Sequence, residues 1–325
     1  MTPGLAEFHA AQTRLQGHLR HTACLRSDAL ADLTGVPVWL KQEHLQITGA
    51  FKLRGATNAI LQLPAGVAGV TTASTGNHGR ALAHAARALG LRAVICMSRL
   101  VPENKRAAVA ALGAEARIIG ASQDEALLEA MRLVAEEGFA LIPPFDHPHV
   151  IAGQATLGLE MAAAVPDAAE VLVPLSGGGL LAGVAAAMKA VNPSIKVIGV
   201  SMERGAAMAA SLAAGHPVDT PERATLADSL GGGIGLQNRL TYAMVRDLMD
   251  DLILLTEDEI AEGIRHLHRI EGQVVEGAGA VGVAALLAGK HRPKGPVVLP
   301  LTGANIDPAL HARIIAGETP DPEAA

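Results

Sequence analysis

One lysine stands in an apolar setting in the stretch GAFKLRG, Gly49 to Gly55. The chain has only seven lysines among its 26 basic residues, so a lysine between Phe51 and Leu53 asks for a reason. On the surface, Lys52 would add only solubility. Partly buried, it loses proton affinity and becomes a nucleophilic amine. A second segment, VPLSGGGLLAGVAAAMKAV (173–191), reads as a strand, a Ser-Gly-Gly-Gly turn and a helix. Gly177, Gly178 and Gly179 bring several backbone N–H groups within reach of one oxyanion at the positive end of that helix, and Ser176 adds a hydroxyl. The alternative is a tight turn with no ligand. No Lys-Ser or Lys-Thr pair follows the glycines, so nothing positions magnesium on a triphosphate, and a phosphate monoester fits better.

TTASTGNHGRALAHAARALG (71–90) has the same form of strand, polar turn and helix. Ser74, Thr75, Gly76, Asn77 and His78 crowd small donors at the helix start, which suits a carboxylate or a phenolate oxygen. Simple capping by Ser74 or Thr75 accounts for the same residues. LPLTGANID (299–307) puts Thr302 and Asn305 just past a buried strand, where a hydroxyl can meet a ring nitrogen or cap the next turn. GAGAVG (277–282) satisfies a dinucleotide-binding pattern, but no long apolar strand precedes it and no acidic residue follows about 20 positions on. Together, a nucleophilic lysine, a phosphate cradle, a turn for a carboxylate and a hydroxyl for a ring nitrogen describe a pyridoxal phosphate site.

These segments need a scaffold that brings distant turns together. Nine short apolar runs read as strands: 36–41, 69–74, 92–97, 115–120, 139–144, 170–175, 195–200, 252–256 and 296–301. Helix-like stretches lie between them at 79–89, 104–112, 153–164, 179–191 and 257–270, and Ser122 with Glu125 and Thr256 with Glu259 form capping boxes. Apolar strands alternating with helices predict parallel sheets covered on both faces. The block from roughly 66 to 147 separates from a glycine-richer later block, which suggests two α/β lobes. Ligands then sit beyond the carboxyl ends of the strands, in the cleft.

Composition excludes several classes. The net charge of −6 and the 2% aromatic content argue against a nucleic-acid partner. Cys24 and Cys96 form neither a disulfide framework nor a metal-ligand spacing, and the histidines show no HExxH pair. No apolar run approaches a membrane span and no secretory pattern opens the chain, so a soluble cytoplasmic protein is expected.

The four motifs, in this order, resemble those of the fold-type II pyridoxal phosphate enzymes of the serine/threonine dehydratase and serine racemase group. GAFKLRGATNAI is similar to the family's lysine segment, STGNHG to its asparagine loop, SGGGLLAG to its phosphate loop and LTGAN to the segment opposite the pyridine nitrogen. The resemblance runs from about His21 to Asp307. It implies a two-lobed α/β fold, like that of the tryptophan synthase β chain, with parallel sheets flanked by helices. A large, discontinuous cofactor-binding domain of residues 1–65 and 148–325 and a small domain of 66–147 carrying the asparagine loop are expected.

The same resemblance implies that Lys52 holds the cofactor covalently and moves protons at the substrate α-carbon. Phe51 would pack on the cofactor ring and Asn77 would bond its 3′-oxygen. Ser176, Gly177, Gly178 and Gly179 would hold its phosphate, and Thr302 would face its ring nitrogen. Ser74, Thr75, Gly76 and His78 would hold the substrate carboxylate, and Glu276 matches a family glutamate near the cofactor. Ser201 and Met202 stand where racemase-type relatives carry an acidic cation ligand, so no metal is expected. ICMSRLVPENK, IPPFDHP and LADSLGGGIG are closer to the hydroxyectoine-utilisation dehydratases. The implied activity is a dehydratase of the ammonia-lyase type that eliminates the β-hydroxyl of an amino acid from hydroxyectoine breakdown. A threonine or serine dehydratase, or a serine or hydroxyaspartate racemase-dehydratase, is the alternative. A homodimer is the family expectation.

Overall fold

The computed structural model describes residues 2–324 except 75, 100 and 102, together with their side chains except those of 104, 123, 124 and 324. In chain order the strands are β1 (Cys24–Ser27), β2 (Val38–Lys41), β3 (Gly69–Ala73), β4 (Ala93–Met97), β5 (Glu115–Ile118), β6 (Phe139–Leu141), β7 (Glu170–Pro174), β8 (Lys196–Met202), β9 (Asp251–Leu255) and β10 (Val297–Pro300). They form two sheets, one of six strands ordered β1-β2-β10-β7-β8-β9 and one of four ordered β5-β4-β3-β6. Every pairing is parallel except β1 with β2.

The nine expected strands are all present, and β1 is an addition. Its four residues read CLRS, and Leu25 is half exposed on the sheet edge. An antiparallel edge strand needs no apolar run, so the pattern that betrays buried parallel strands is missing here. The expected 139–144 strand stops at Leu141, before Pro143 and Pro144, which have no N–H to donate to a ladder. Both capping boxes form. GAGAVG opens the buried helix Gly277–Leu287, and a Cβ at Gly277 would collide with the Leu226 carbonyl. These glycines serve close packing.

Alternation along β7 explains how the six-stranded sheet is covered. Leu172 packs with Ile198, Leu299 and the helices 257–269 and 277–287 on one face. Val171 and Val173 pack with Leu157, Leu181 and Val184 on the other. Among the described residues, no helix is long and apolar enough to cross a membrane.

The helix Lys52–Ile60 is anchored by an ion network in the interior. Arg54, 1% exposed, donates through Nε and Nη2 to the two carboxylate oxygens of Glu43, both at 2.8 Å. Its Nη1 and Nη2 also reach Glu160 at 2.7 and 2.9 Å. Lys41 Nζ donates to Glu160 and to the Thr22 carbonyl, each at 2.6 Å. Burial pushes the Glu43 carboxyl up, but the charge and hydrogen bonds of Arg54, with Thr22 adding another, outweigh it and hold the group below its usual range. Replacing one partner strands the other charge in the core, a loss of roughly 3–5 kcal/mol. Arg54→Met is therefore expected to lower folding stability by about that amount in urea denaturation, and Arg54→Lys to recover only part of it. An unchanged midpoint for Arg54→Met would remove the network from the stability of this helix.

Candidate active site

A cavity of about 1020 Å³ opens beyond the carboxyl ends of β3, β7 and β10, where turns from both sheets meet. A smaller cavity of about 470 Å³ lies against the helices 257–269 and 277–287. Its Arg265 and Arg269 are committed to the carbonyls of Ile314 and Ile315 at the end of the helix Pro308–Ile315. The chemistry-bearing residues are in the larger one.

Lys52 begins its helix right after a segment zipped to the turn past β10. Gly49 adopts φ +74, Phe51 N donates to Thr302 O at 3.0 Å, Ala304 N donates to Gly49 O at 2.9 Å, and Ala50 bridges Gly303. This pairing brings the lysine and Thr302 motifs, some 250 residues apart, into one wall of the cavity. Lys52 Nζ donates to the Pro144 carbonyl at 2.8 Å and lies 5.4 Å from the Phe51 ring centre. Burial of the amine pushes it down to about 8, so a sizeable neutral fraction exists near neutral pH.

Two helix N-termini face the same cavity. Ser176 to Gly179 lead into the helix Gly179–Val191, with Gly178 at φ +86. Side chains at Gly177 or Gly179 would strike Phe145, and one at Gly178 would crowd Val245 and Met208. The three glycines therefore present only backbone beside the Ser176 hydroxyl, and the loop's N–H groups bond no acceptor among the described residues. Across the cavity, Ser74, Gly76, Asn77 and His78 open the helix Asn77–Ala88, which has no side-chain cap. The hydroxyls of Ser74, Ser176 and Thr302 hold no protein partner among the described residues. Thr75 lies outside the described residues.

Asn77 is held from both sides. Its Nδ2 donates to Glu276 Oε1 at 2.7 Å, and its Oδ1 accepts from Asn305 Nδ2 at 2.6 Å. Asn305 is itself bonded by Arg80 at 2.9 Å, and its backbone N–H reaches Glu276 Oε2 at 3.0 Å. Glu276 is buried, and burial together with the charge of Asp228 pushes its carboxyl up to about 7 against the hydrogen bonds from Asn77, Asn305 and Ser229. His78 is also buried. Its Nε2 bonds the Ile142 carbonyl at 2.8 Å, and burial with the nearby Lys52 charge pushes it down to about 3. Its ring is neutral at physiological pH and offers no cationic grip on a carboxylate.

IPPFDHP and LADSLGGGIG carry a resemblance in the sequence but no site role, so the segment 144–146, the glycine turn Gly231–Gly233 and the Arg80–Asn305 link join the site only in the structure. All three border the cavity or its polar network. The run of three glycines in SLGGG was a visible signal, whereas Pro144 acts through a backbone carbonyl that no side-chain motif encodes. At the mouth, Lys105 Nζ reaches Asp228 at 3.4 Å.

A desolvated amine, a glycine-rich anion loop and several hydroxyls on one cavity define a site for a phosphorylated carbonyl cofactor. The model of the family described as "Pyridoxal-phosphate dependent enzyme" matches residues 15–303, and the chain belongs to that family. It is 59% identical to a "Putative threonine dehydratase" of Sinorhizobium fredii over 96% of this chain and 95% of that protein. It is 41% identical to an L-threonine ammonia-lyase of Thermotoga maritima over 96% of this chain and 78% of that one. Among solved structures it resembles maize serine racemase, with a TM-score of 0.91 and 33% identity over 95% of each chain. It also resembles a "T.th." threonine deaminase, with a TM-score of 0.86 and 37% identity over 94% of this chain and 99% of that one. The fold is that of fold-type II pyridoxal phosphate enzymes, and the chain is a pyridoxal phosphate-dependent lyase.

The raised Glu276 carboxyl has a consequence for stability. In the folded protein it keeps its proton up to about pH 7, against 4.5 for the free group. That contribution is fully present below 4.5 and is lost as pH rises through about 7. Neutral, buried His78 works in the opposite sense between about 3 and 6.5, so the difference between wild type and Glu276→Gln isolates the carboxyl. From pH 4.5 to 8 the cofactor-free wild type is expected to lose roughly 3 kcal/mol relative to Glu276→Gln in urea denaturation at each pH. A pH-independent difference would mean that Glu276 titrates alike in the folded and unfolded protein.

Proposed function

We propose that this enzyme is a dehydratase that removes the β-hydroxyl of a small amino acid, with L-threonine or L-serine as substrate. The observation that carries this reading is the Lys52 amine, desolvated on a cavity flanked by two sets of backbone donors at helix N-termini. The relatives named as threonine dehydratase and ammonia-lyase support it.

In this reading the N–H groups of Ser176 to Gly179 would hold the cofactor phosphate, Asn77 its phenolic oxygen, Phe51 the face of its ring and Thr302 its ring nitrogen. Bound pyridoxal phosphate supplies the conjugated acceptor for the electron pair left at the α-carbon. Lys52 would hold the cofactor through its amine and, once that amine is free, would take the substrate's α-proton as general base. The Ser74 hydroxyl and the backbone N–H groups at Gly76 to His78 orient the substrate carboxylate. His78, neutral and bonded to Ile142, is not the acid that protonates the departing hydroxyl. A hydroxyl at Thr302 would pair with the ring nitrogen more weakly than a carboxylate, which would favour prompt loss of a β-substituent. Water then converts the released enamine, by way of its imine, to a 2-oxo acid and ammonia.

A second reading of the substrate rests on Asp219, Glu222 and Asp228, which are among the residues that line the cavity. Acidic groups there suit a hydroxy amino acid with a second ammonium, such as the 3-hydroxy-2,4-diaminobutyrate expected from hydroxyectoine breakdown. Turnover of the cofactor-loaded enzyme on threonine, serine, 3-hydroxyaspartate and the diaminobutyrate compound, following ammonia release and α-proton exchange together, separates the two. Preference for threonine or serine is expected; preference for the diaminobutyrate compound would transfer the assignment to the second reading. Solvent deuterium at the α-carbon with loss of chirality and no ammonia would replace both with racemisation. Lys52→Ala is expected to abolish turnover and the absorbance of the lysine-bound cofactor, and retained turnover would remove Lys52 from the chemistry.

A further inference from the structure

The glycine loop Ser176–Gly179 is pressed between two walls that come from different parts of the chain. Phe145 is one wall: a Cβ at Gly177 would collide with its ring, and one at Gly179 would come within 2.9 Å of its backbone. The helix Thr241–Leu248 is the other, because a Cβ at Gly178 would lie 2.9 Å from Val245 and 3.1 Å from Thr241. Asp146, the residue after Phe145, ties the walls together. Its Oδ2 accepts from Arg239 N at 2.6 Å, and its Oδ1 accepts from Leu240 N and Thr241 N, both at 2.9 Å. One carboxylate thus satisfies three consecutive backbone donors at the start of the second wall.

We propose that Asp146 is a positioning residue for the phosphate loop, fixing the gap between Phe145 and the helix Thr241–Leu248 in which Ser176–Gly179 is held. The inference rests on the reading that this loop binds the cofactor phosphate. Among the described residues Asp146 makes no hydrogen bond to the loop, and it acts through Phe145 and the helix. The helix keeps a separate cap from Asn238, whose Oδ1 accepts from Tyr242 N at 2.9 Å and whose Nδ2 donates to Thr241 Oγ1 at 2.7 Å. Loss of the Asp146 carboxylate therefore loosens the wall without removing the helix.

The test compares binding of pyridoxal phosphate with that of pyridoxal, which lacks the phosphate, to cofactor-free protein by absorbance titration. Wild type is expected to prefer the phosphorylated form strongly. Asp146→Ala is expected to weaken pyridoxal phosphate binding tenfold or more and to leave pyridoxal binding unchanged. Asp146→Asn, which keeps one acceptor oxygen, is expected to fall between the two. Equal loss for both ligands, or no loss for either, would overturn the positioning role. If Asp146→Ala does not fold, Asp146→Asn and Phe145→Leu carry the same comparison, and an unchanged preference in both would also overturn it. A wild type that binds the two ligands equally would instead overturn the phosphate-loop reading beneath the proposal.

Discussion

Arg54 sits in the core between two carboxylates, and the place of the desolvated Lys52 two residues earlier depends on it. A guanidinium cannot be buried without partners, so Glu43 and Glu160 must come to it, and Lys41 must balance the second carboxylate. These groups belong to β2, to the turn after it and to the long helix Pro148–Ala164. Their convergence locks the Lys52 helix onto the six-stranded sheet. The rest of the cavity wall can then be built against a lysine whose backbone does not move. Such networks are poor sources of net stability but strict about geometry, since other arrangements of the same charges leave one unpaired.

From that anchor, parallel-sheet geometry does the remaining assembly. β7 and β10 are parallel neighbours whose following turns open on the same side, and the turn after β3, from the other sheet, meets them in one cleft. Two of those turns start helices, whose free N–H groups and positive ends make places for negative oxygens. The third turn carries Thr302 and is held against the lysine segment by backbone hydrogen bonds. A desolvated amine and two helix N-termini thus line one cavity.

The interior of the site is tuned by desolvation. Lys52 loses proton affinity, Glu276 gains it and His78 is kept neutral, in each case with burial as the largest cause. The polar chain from Arg80 through Asn305 to Asn77 and Glu276 fixes the Asn77 amide with its oxygen toward Asn305 and its nitrogen toward Glu276. A side chain with so few alternatives is already oriented before any ligand arrives, which lowers the ordering cost of binding.

Much of this was legible in the residues alone. Nine strands, two capped helices and four motifs have local signatures: apolar runs, Ser or Thr three residues before Glu, and glycines before a helix. Lys52, Asn77, Ser176–Gly179 and Thr302 all stand where such signatures put them, and the structure brings them to one cavity. What stayed hidden is carried by long-range neighbours. β1 exists only because β2 offers an edge, and GAGAVG is a packed helix because Leu226 and Leu299 lie against it. Pro144 matters through its carbonyl, Asp146 through three amides about 90 residues away, and His78 through the burial that keeps it uncharged against its bond to the Ile142 carbonyl. Sequence determined which groups could do chemistry and which turns would present them. Only the tertiary structure decided their charge and their partners, because desolvation and hydrogen bonding are properties of surroundings that the chain assembles from distant segments.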